Sequence, residues 1–275
     1  MYDFRFGSID EIRESPEEFV LFVKHLLPRW LNGITDEQCL AIFRCAASVS
    51  QSKGVLIETG CGASTVPLVV HAALTGDKAF SWDISGHKGS QLRLVLTEAV
   101  GLALGVDINE VWHFVAADSC DPLVGIKVLG ELGQNVKMGF FDSQHTLNQL
   151  VAEVNSTLAV ANDSLVVALD DAYYRSISQN YGYRNLQRVK LGLAPIEEPK
   201  ENLGDEFRDV IGSLLEVSFT TVRELTEMYR ADPNDVHLRY FSSDRKVFGK
   251  IGMENPERLS DRFTAWSCSG KNSRS

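Results

Sequence analysis

The chain has 275 residues, 44% of them apolar and 23% charged, and 37 acids against 27 bases give a formal net charge of −10. This is globular composition, long enough for one large α/β domain, and no window approaches the roughly 18 uninterrupted apolar residues of a membrane-spanning helix. There is no basic block with interleaved aromatics, so wrapping a nucleic-acid backbone is disfavoured, and the N-terminus lacks an apolar signal core, so the expectation is a soluble, cytoplasmic protein that uses neither membrane nor nucleic acid.

Residues 1–50 read as a helical cap segment, and residues 51–275 as a single α/β domain. Ser15-Pro16-Glu17-Glu18 opens a helix, with proline in the first turn and acids at the positive end of the dipole. A second helix starts near Thr35-Asp36-Glu37 and buries Leu40, Ile42, Phe43 and Ala46. Trp30 between them is expected to pack rather than to touch a ligand. Such a segment could cap a pocket or build a homo-oligomer.

Val55-Leu56-Ile57 is the first core strand, and it runs into Glu58-Thr59-Gly60-Cys61-Gly62-Ala63-Ser64-Thr65. A helix follows over Val66 to Leu74. Glycines at 60 and 62 permit a sharp turn and close approach to a ligand, and the following helix presents free N–H groups to it. An ordinary strand-to-helix turn has the same look, so the loop alone does not identify a ligand.

Lys78 to Ile84 reads as a second strand ending in Asp83, which serves either as a turn and cap residue or as the acceptor for a ribose diol. Gln91 to Leu104 reads as a helix and Val111 to Ala116 as a third strand. It leads into Asp118-Ser119, which either face an adenine ring or form a turn. Residues 123–132 are a further helix candidate. Val136 to Phe141 is a fourth strand running into Asp142-Ser143-Gln144-His145, a helix starts from Thr146, and Ser164 to Leu169 is a fifth strand ending in Asp170-Asp171. Beyond it, Asp205 to Leu215 reads as helix, Val217 to Val222 and Val247 to Ile251 as strands, and the tail past Ser267 as frayed.

Strand and helix alternate through five units, which predicts a Rossmann-like, doubly wound, mostly parallel sheet with its polar residues at the strands' carboxyl ends, where open sheets bind ligands. Asp142, Asp170 and Asp171 end consecutive strands. Three carboxylates in one small volume repel, and a hard divalent ion such as Mg²⁺ relieves that repulsion; taken without other context, Asp142 reads as a helix cap and Asp171 as the end of a strand at a turn. The five cysteines, Cys39, Cys45, Cys61, Cys120 and Cys268, include no C-x-x-C pair and give no zinc or disulfide framework.

Taken in order, I-E-T-G-C-G-A-S-T, S-W-D-I, A-A-D-S, F-F-D-S-Q-H and V-A-L-D-D-A resemble the seven-stranded, class I S-adenosylmethionine-dependent methyltransferases over residues 54–172. Within them, the last two blocks resemble the metal-dependent, macrocin O-methyltransferase-like enzymes of small molecules. The resemblance implies a seven-stranded sheet and cofactor contacts at Glu58, Thr59, Gly60, Cys61, Gly62, Ser64, Thr65, Asp83, Ile84, Asp118, Ser119 and Asp142. It further implies Mg²⁺ at Asp142, Asp170 and Asp171, and methyl transfer to a small hydroxylated acceptor. The chain departs from the family at Gln144, where the usual second acid and candidate base is missing. His145 is then the candidate general base, since an imidazole titrates near neutrality; it could equally pack at the start of the next helix. The same departure keeps open a catalytically impaired S-adenosylmethionine-binding protein acting as a partner or scaffold. An NAD-type oxidoreductase would want a third glycine where Thr65 stands.

Overall fold

The computed structural model describes residue 6 and residues 8–144, 146–170, 188–190, 192–195, 203–225 and 263–270. The N-terminal segment forms α1 (Ile9–Glu14), α2 (Pro16–Leu26) and α3 (Asp36–Ser48). The start of α3 is fixed by a reciprocal cap. Thr35 Oγ1 accepts from the Gln38 amide at 3.1 Å, and Gln38 Oε1 accepts from the Thr35 amide at 3.0 Å, so two otherwise orphaned donors are satisfied. Below this cap the fully buried Lys24 donates to Asp36 Oδ1 at 2.9 Å, with His25 Nε2 3.1 Å from Asp36 Oδ2.

The strands are β1 (Val55–Thr59), β2 (Ala79–Trp82), β3 (Trp112–Val115), β4 (Val136–Phe141), β5 (Ala161–Leu169), β6 (Thr221–Glu224) and β7 (Thr264–Ser269). They form one sheet in the order β3-β2-β1-β4-β5-β7-β6. The first five are parallel, and β7 runs antiparallel to both β5 and β6. The order reverses between β1 and β4, where ligands bind in doubly wound sheets.

Because side chains alternate across a strand, the strands feed two cores. Leu56, Met138, Phe140, Val166, Ala168 and Ala265 share one with α2, α3 and α4 (Thr65–Thr75). Ile57, Phe141, Val167, Leu169 and Trp266 face the other, with Val154 of α9 (Leu147–Leu158) and Ile211 and Leu215 of α10 (Leu203–Ser218). The N-terminal helices therefore continue the layer that covers one sheet face.

Helix α5 (Gly86–Leu96) begins before the expected Gln91, then passes through one π-helical turn (Thr97–Gly101) into α6 (Leu102–Leu104). Its first turn lacks apolar periodicity, but Gly89 lies against Phe114, where a Cβ would stand 2.3 Å from the ring. A short α7 (Ile108–Val111) leads into β3. The helix expected over 123–132 shrinks to α8 (Val128–Glu131). The chain before it is drawn into a loop, because Asp121 Oδ1 accepts from the Leu123 and Val124 amides and the Trp82 indole donates to the Val124 carbonyl at 2.8 Å.

The strand expected over Val217 to Val222 begins later, since α10 continues to Ser218 and Val217 is exposed on it. The expected frayed tail is also corrected. Ser267 to Ser269 complete β7, where Trp266 and Cys268 are buried against the sheet's second core. Val247 to Ile251 lie outside the described residues. Among the described residues no helix is long and apolar enough to cross a membrane.

Candidate cofactor and active site

The residues after four adjacent strands are stitched into one row. The Gly60 amide donates to the Trp82 carbonyl at 2.8 Å and the Asp83 amide to Val115 at 3.2 Å. On the other side the Asp142 amide donates to the Thr59 carbonyl at 2.9 Å, and that of Asp170 to Phe141 at 3.1 Å. In-register parallel pairing of Thr59 with Trp82 and Phe141, and of Phe141 with Leu169, sets this up. Asp83, Gly60, Asp142 and Asp170 thus follow one another along the carboxyl edge, spaced by roughly one strand separation of about 4.8 Å.

Gly60 has φ +81°, and a Cβ there would stand 1.9 Å from the Asp142 carbonyl oxygen. Only glycine permits that approach of the β1 and β4 loops. A Cβ on Gly62 would meet the Leu31 carbonyl at 3.3 Å, so the turn between α2 and α3 lies over the glycine loop. Trp30 in that turn is 53% exposed and stacks on His87 with ring centroids 5.4 Å apart. It packs, as its position between two helices suggested, but on the protein surface against His87.

Adjacent residues of β1 anchor the loop from both sheet faces. On the α4 face, fully buried Glu58 accepts from Ser64 Oγ at 2.8 Å and from Ser81 Oγ at 2.5 Å, and the Trp112 indole donates to Ser81 Oγ at 2.7 Å. Burial pushes the Glu58 carboxyl up to about 7, against the opposing pull of the serine hydroxyls. On the α9 face, Thr59 Oγ1 donates to Glu153 Oε2 at 3.1 Å, Ser119 Oγ donates to Glu153 Oε1 at 2.5 Å, and Gln149 Nε2 donates to the same oxygen at 3.2 Å. Burial raises the Glu153 carboxyl as well. Glu58, Thr59 and Ser119 therefore brace the cleft from beneath, with their polar atoms turned to protein partners.

Glu153 was missed by the sequence reading. Its signal was a lone acid beside the apolar stripe Leu150, Val151 and Val154, a pattern that needs a polar partner in the core.

Thr65 is buried at the start of α4, and its Oγ1 accepts from the Gly62 amide at 3.2 Å. Cys61 is buried, with its thiol pushed up by burial. Asp83 Oδ1 accepts from the Ser85 amide at 2.7 Å, and its Oδ2 accepts from the Cys61 amide at 3.1 Å and from Lys88 Nζ at 2.8 Å. Ile84, the next residue, is 80% exposed, an apolar side chain standing beside the acid. Asp118 is exposed at the end of the neighbouring loop, where it accepts from the Cys120 amide at 2.8 Å.

On the other side of the glycine loop, Asp142 and Asp170 are half-buried neighbours, and Gln38 Nε2 reaches from α3 to Asp170 Oδ1 at 2.7 Å. Gln144 is exposed. Asp171 and His145 lie outside the described residues. Among the described residues no group of three His, Cys, Asp or Glu side chains is placed to hold a metal ion.

These residues fit an adenosine ligand: an acid for a diol, an exposed apolar residue beside it for a ring, and a glycine turn at the switch point. The strand order, with one antiparallel strand inserted between β5 and β6, decides the fold. It is the class I methyltransferase fold.

The chain is similar to the cofactor-bound Rv0187 from MTB, with a TM-score of 0.50 and 13% identity over 96% of this chain and 97% of that one. It is also similar, at a TM-score of 0.47, to the O-methyltransferase from Bacillus cereus in complex with SAH, with 16% identity over 78% of this chain and 87% of that one. At 13% identity the likeness to the first is one of fold alone. No family model and no curated protein matches the sequence. Open α/β sheets bind ligands outside the carboxyl ends of their strands, and that is the edge on which Asp83, Gly60 and Asp142 stand in this chain.

Proposed function

We propose that the protein is an S-adenosylmethionine-dependent methyltransferase acting on the hydroxyl of a small molecule. The observation that carries this reading is the row of Asp83, the glycine loop, Asp142 and Asp170 along the carboxyl edge of β2, β1, β4 and β5. The cofactor, when bound, supplies a methyl group on a sulfonium, and the reaction passes that methyl to an acceptor oxygen while the hydroxyl proton leaves. In this chain Asp83 would accept from the ribose, Ile84 would pack on the adenine, and Asp118 would face the ring's amino group. The glycine loop admits the amino-acid portion close to the backbone. Glu58 and Glu153 hold that loop in shape from below.

Asp142 and Asp170, with Asp171, are the residues that would hold a divalent cation such as Mg²⁺, which would polarise the acceptor hydroxyl as a Lewis acid. Two adjacent oxygen donors of this kind suit a hard cation. Exposed Gln144 cannot take a proton, which leaves His145 as the candidate base.

Titration calorimetry with S-adenosylmethionine and its demethylated product tests the cofactor, and transfer of a labelled methyl group to a panel of hydroxylated acceptors, with and without Mg²⁺, tests the reaction. Binding to the wild-type chain with metal-stimulated transfer is the expected result. Absence of cofactor binding would overturn the reading at its first step.

A further inference from the structure

The Asp83 carboxylate is crowded by donors from its own chain. A carboxylate offers about four lone-pair sites. The Ser85 amide takes one on Oδ1, while the Cys61 amide and Lys88 Nζ take two on Oδ2. A ribose diol needs two acceptors, and the three existing bonds leave room for one. The two backbone donors belong to the loops that shape the cleft and cannot leave without unmaking it. Lys88 is different: it stands in the first turn of α5 on a long flexible stem, with its side chain 36% exposed.

We infer that Lys88 is a built-in competitor for the ribose site, bonded to Asp83 in the free protein and displaced into solvent when an adenosine ligand binds. Releasing it restores two acceptor sites, the number a diol uses. Burial alone would lower the ammonium's pKa, but the hydrogen bond and charge of Asp83 raise it, so the group stays protonated. Its bond to the Asp83 oxygen that also accepts from the Cys61 amide sets it beside the glycine loop. This inference rests on the adenosine reading of the cleft and adds an affinity-determining residue to it.

The alternative role is opposite in sign. If Lys88 only orients Asp83, removing it leaves the acid misdirected and ligand binding weakens.

The test is calorimetric titration of S-adenosylhomocysteine into the full chain as wild type, Lys88→Met and Lys88→Arg, at low and high ionic strength, with thermal melts confirming that each is folded. An ion pair with one partly exposed partner, taken at about 1 kcal/mol, predicts that its removal tightens binding by about fivefold. Wild-type affinity should rise with salt as the pair is screened, Lys88→Met should lose that dependence, and Lys88→Arg should keep it. Binding by Lys88→Met alone would also support the competitor role. Equal or weaker binding by a folded Lys88→Met, alongside a wild type that binds, would overturn the inference and leave the cofactor reading standing. Binding by neither chain would overturn both.

Discussion

Gln38 Nε2 donates to Asp170 Oδ1 at 2.7 Å, joining the first turn of α3 to the end of β5 across 132 residues of sequence. The same side chain closes the α3 capping box through its Oε1. One amide thus serves the helix and the candidate acceptor site together. Gln38→Glu separates the two roles, because a glutamate at this position still accepts from the Thr35 amide but sets a like charge against Asp170. The expected outcome is a fall in methyl transfer of roughly tenfold or more, as a displaced reacting group brings, with little change in the thermal midpoint. Steady-state kinetics beside thermal melts checks it.

Gly60 fixes the approach of the β1 and β4 loops, at φ +81° and within 1.9 Å of the Asp142 carbonyl by its missing Cβ. Gly60→Ala forces a left-handed conformation on an alanine, about 1–2 kcal/mol, and adds a backbone clash that only loop movement relieves. Denaturant unfolding should show a loss of more than about 2 kcal/mol, together with loss of S-adenosylhomocysteine binding.

Glu58 makes stability depend on pH in an unusual direction. Its folded carboxyl is raised to about 7 against an ordinary value of 4.5, so between those values the folded state holds a proton that the unfolded chain has released. Its contribution is fully present below about 4.5 and is lost as pH rises through about 7, by an amount on the order of 3 kcal/mol. Buried His71, lowered to about 4 by burial, works oppositely and loses stability as pH falls below its ordinary value of 6.5. Comparing Glu58→Gln with wild type cancels the histidine. The neutral variant should gain on wild type from pH 5 to pH 8 in denaturant melts; parallel curves would remove Glu58 as the source.

Glu153 is the hub on the opposite sheet face, taking the hydroxyls of Thr59 and Ser119 and the Gln149 amide. Glu153→Ala strands those groups in a buried space and should cost about 2–4 kcal/mol, whereas Glu153→Gln, which keeps an acceptor, should cost clearly less. Equal losses in chemical denaturation would show that volume rather than hydrogen bonding governs the site.

The parallel half of the sheet was legible because its strands are short apolar runs closed by acids, and the same acids mark the cleft. Asp83, Asp142 and Asp170 fall on the carboxyl edge as their positions implied. Alternation sets Glu58 and Thr59 on opposite faces, but it could not reveal their partners: Glu58 is consumed by Ser64 and Ser81, and Thr59 by Glu153. β7 escaped because its small and polar residues, T-A-W-S-C-S, owe their strand to pairing with β5 on one side and β6 on the other. Lys88 and Gln38 escaped for a related reason. Each acts through a partner brought near only by the fold, Gln38 across 132 residues of sequence and Lys88 through the turn that starts α5.

The most direct measurement is titration of S-adenosylhomocysteine into the wild-type chain and Asp83→Ala. Binding to the wild type that weakens at least about tenfold in a folded Asp83→Ala, the loss of a charge-assisted hydrogen-bond acceptor, is the predicted result. Absence of binding to the wild type, or equal affinity in the two, would contradict an adenosine site at the carboxyl edge of β1 and β2.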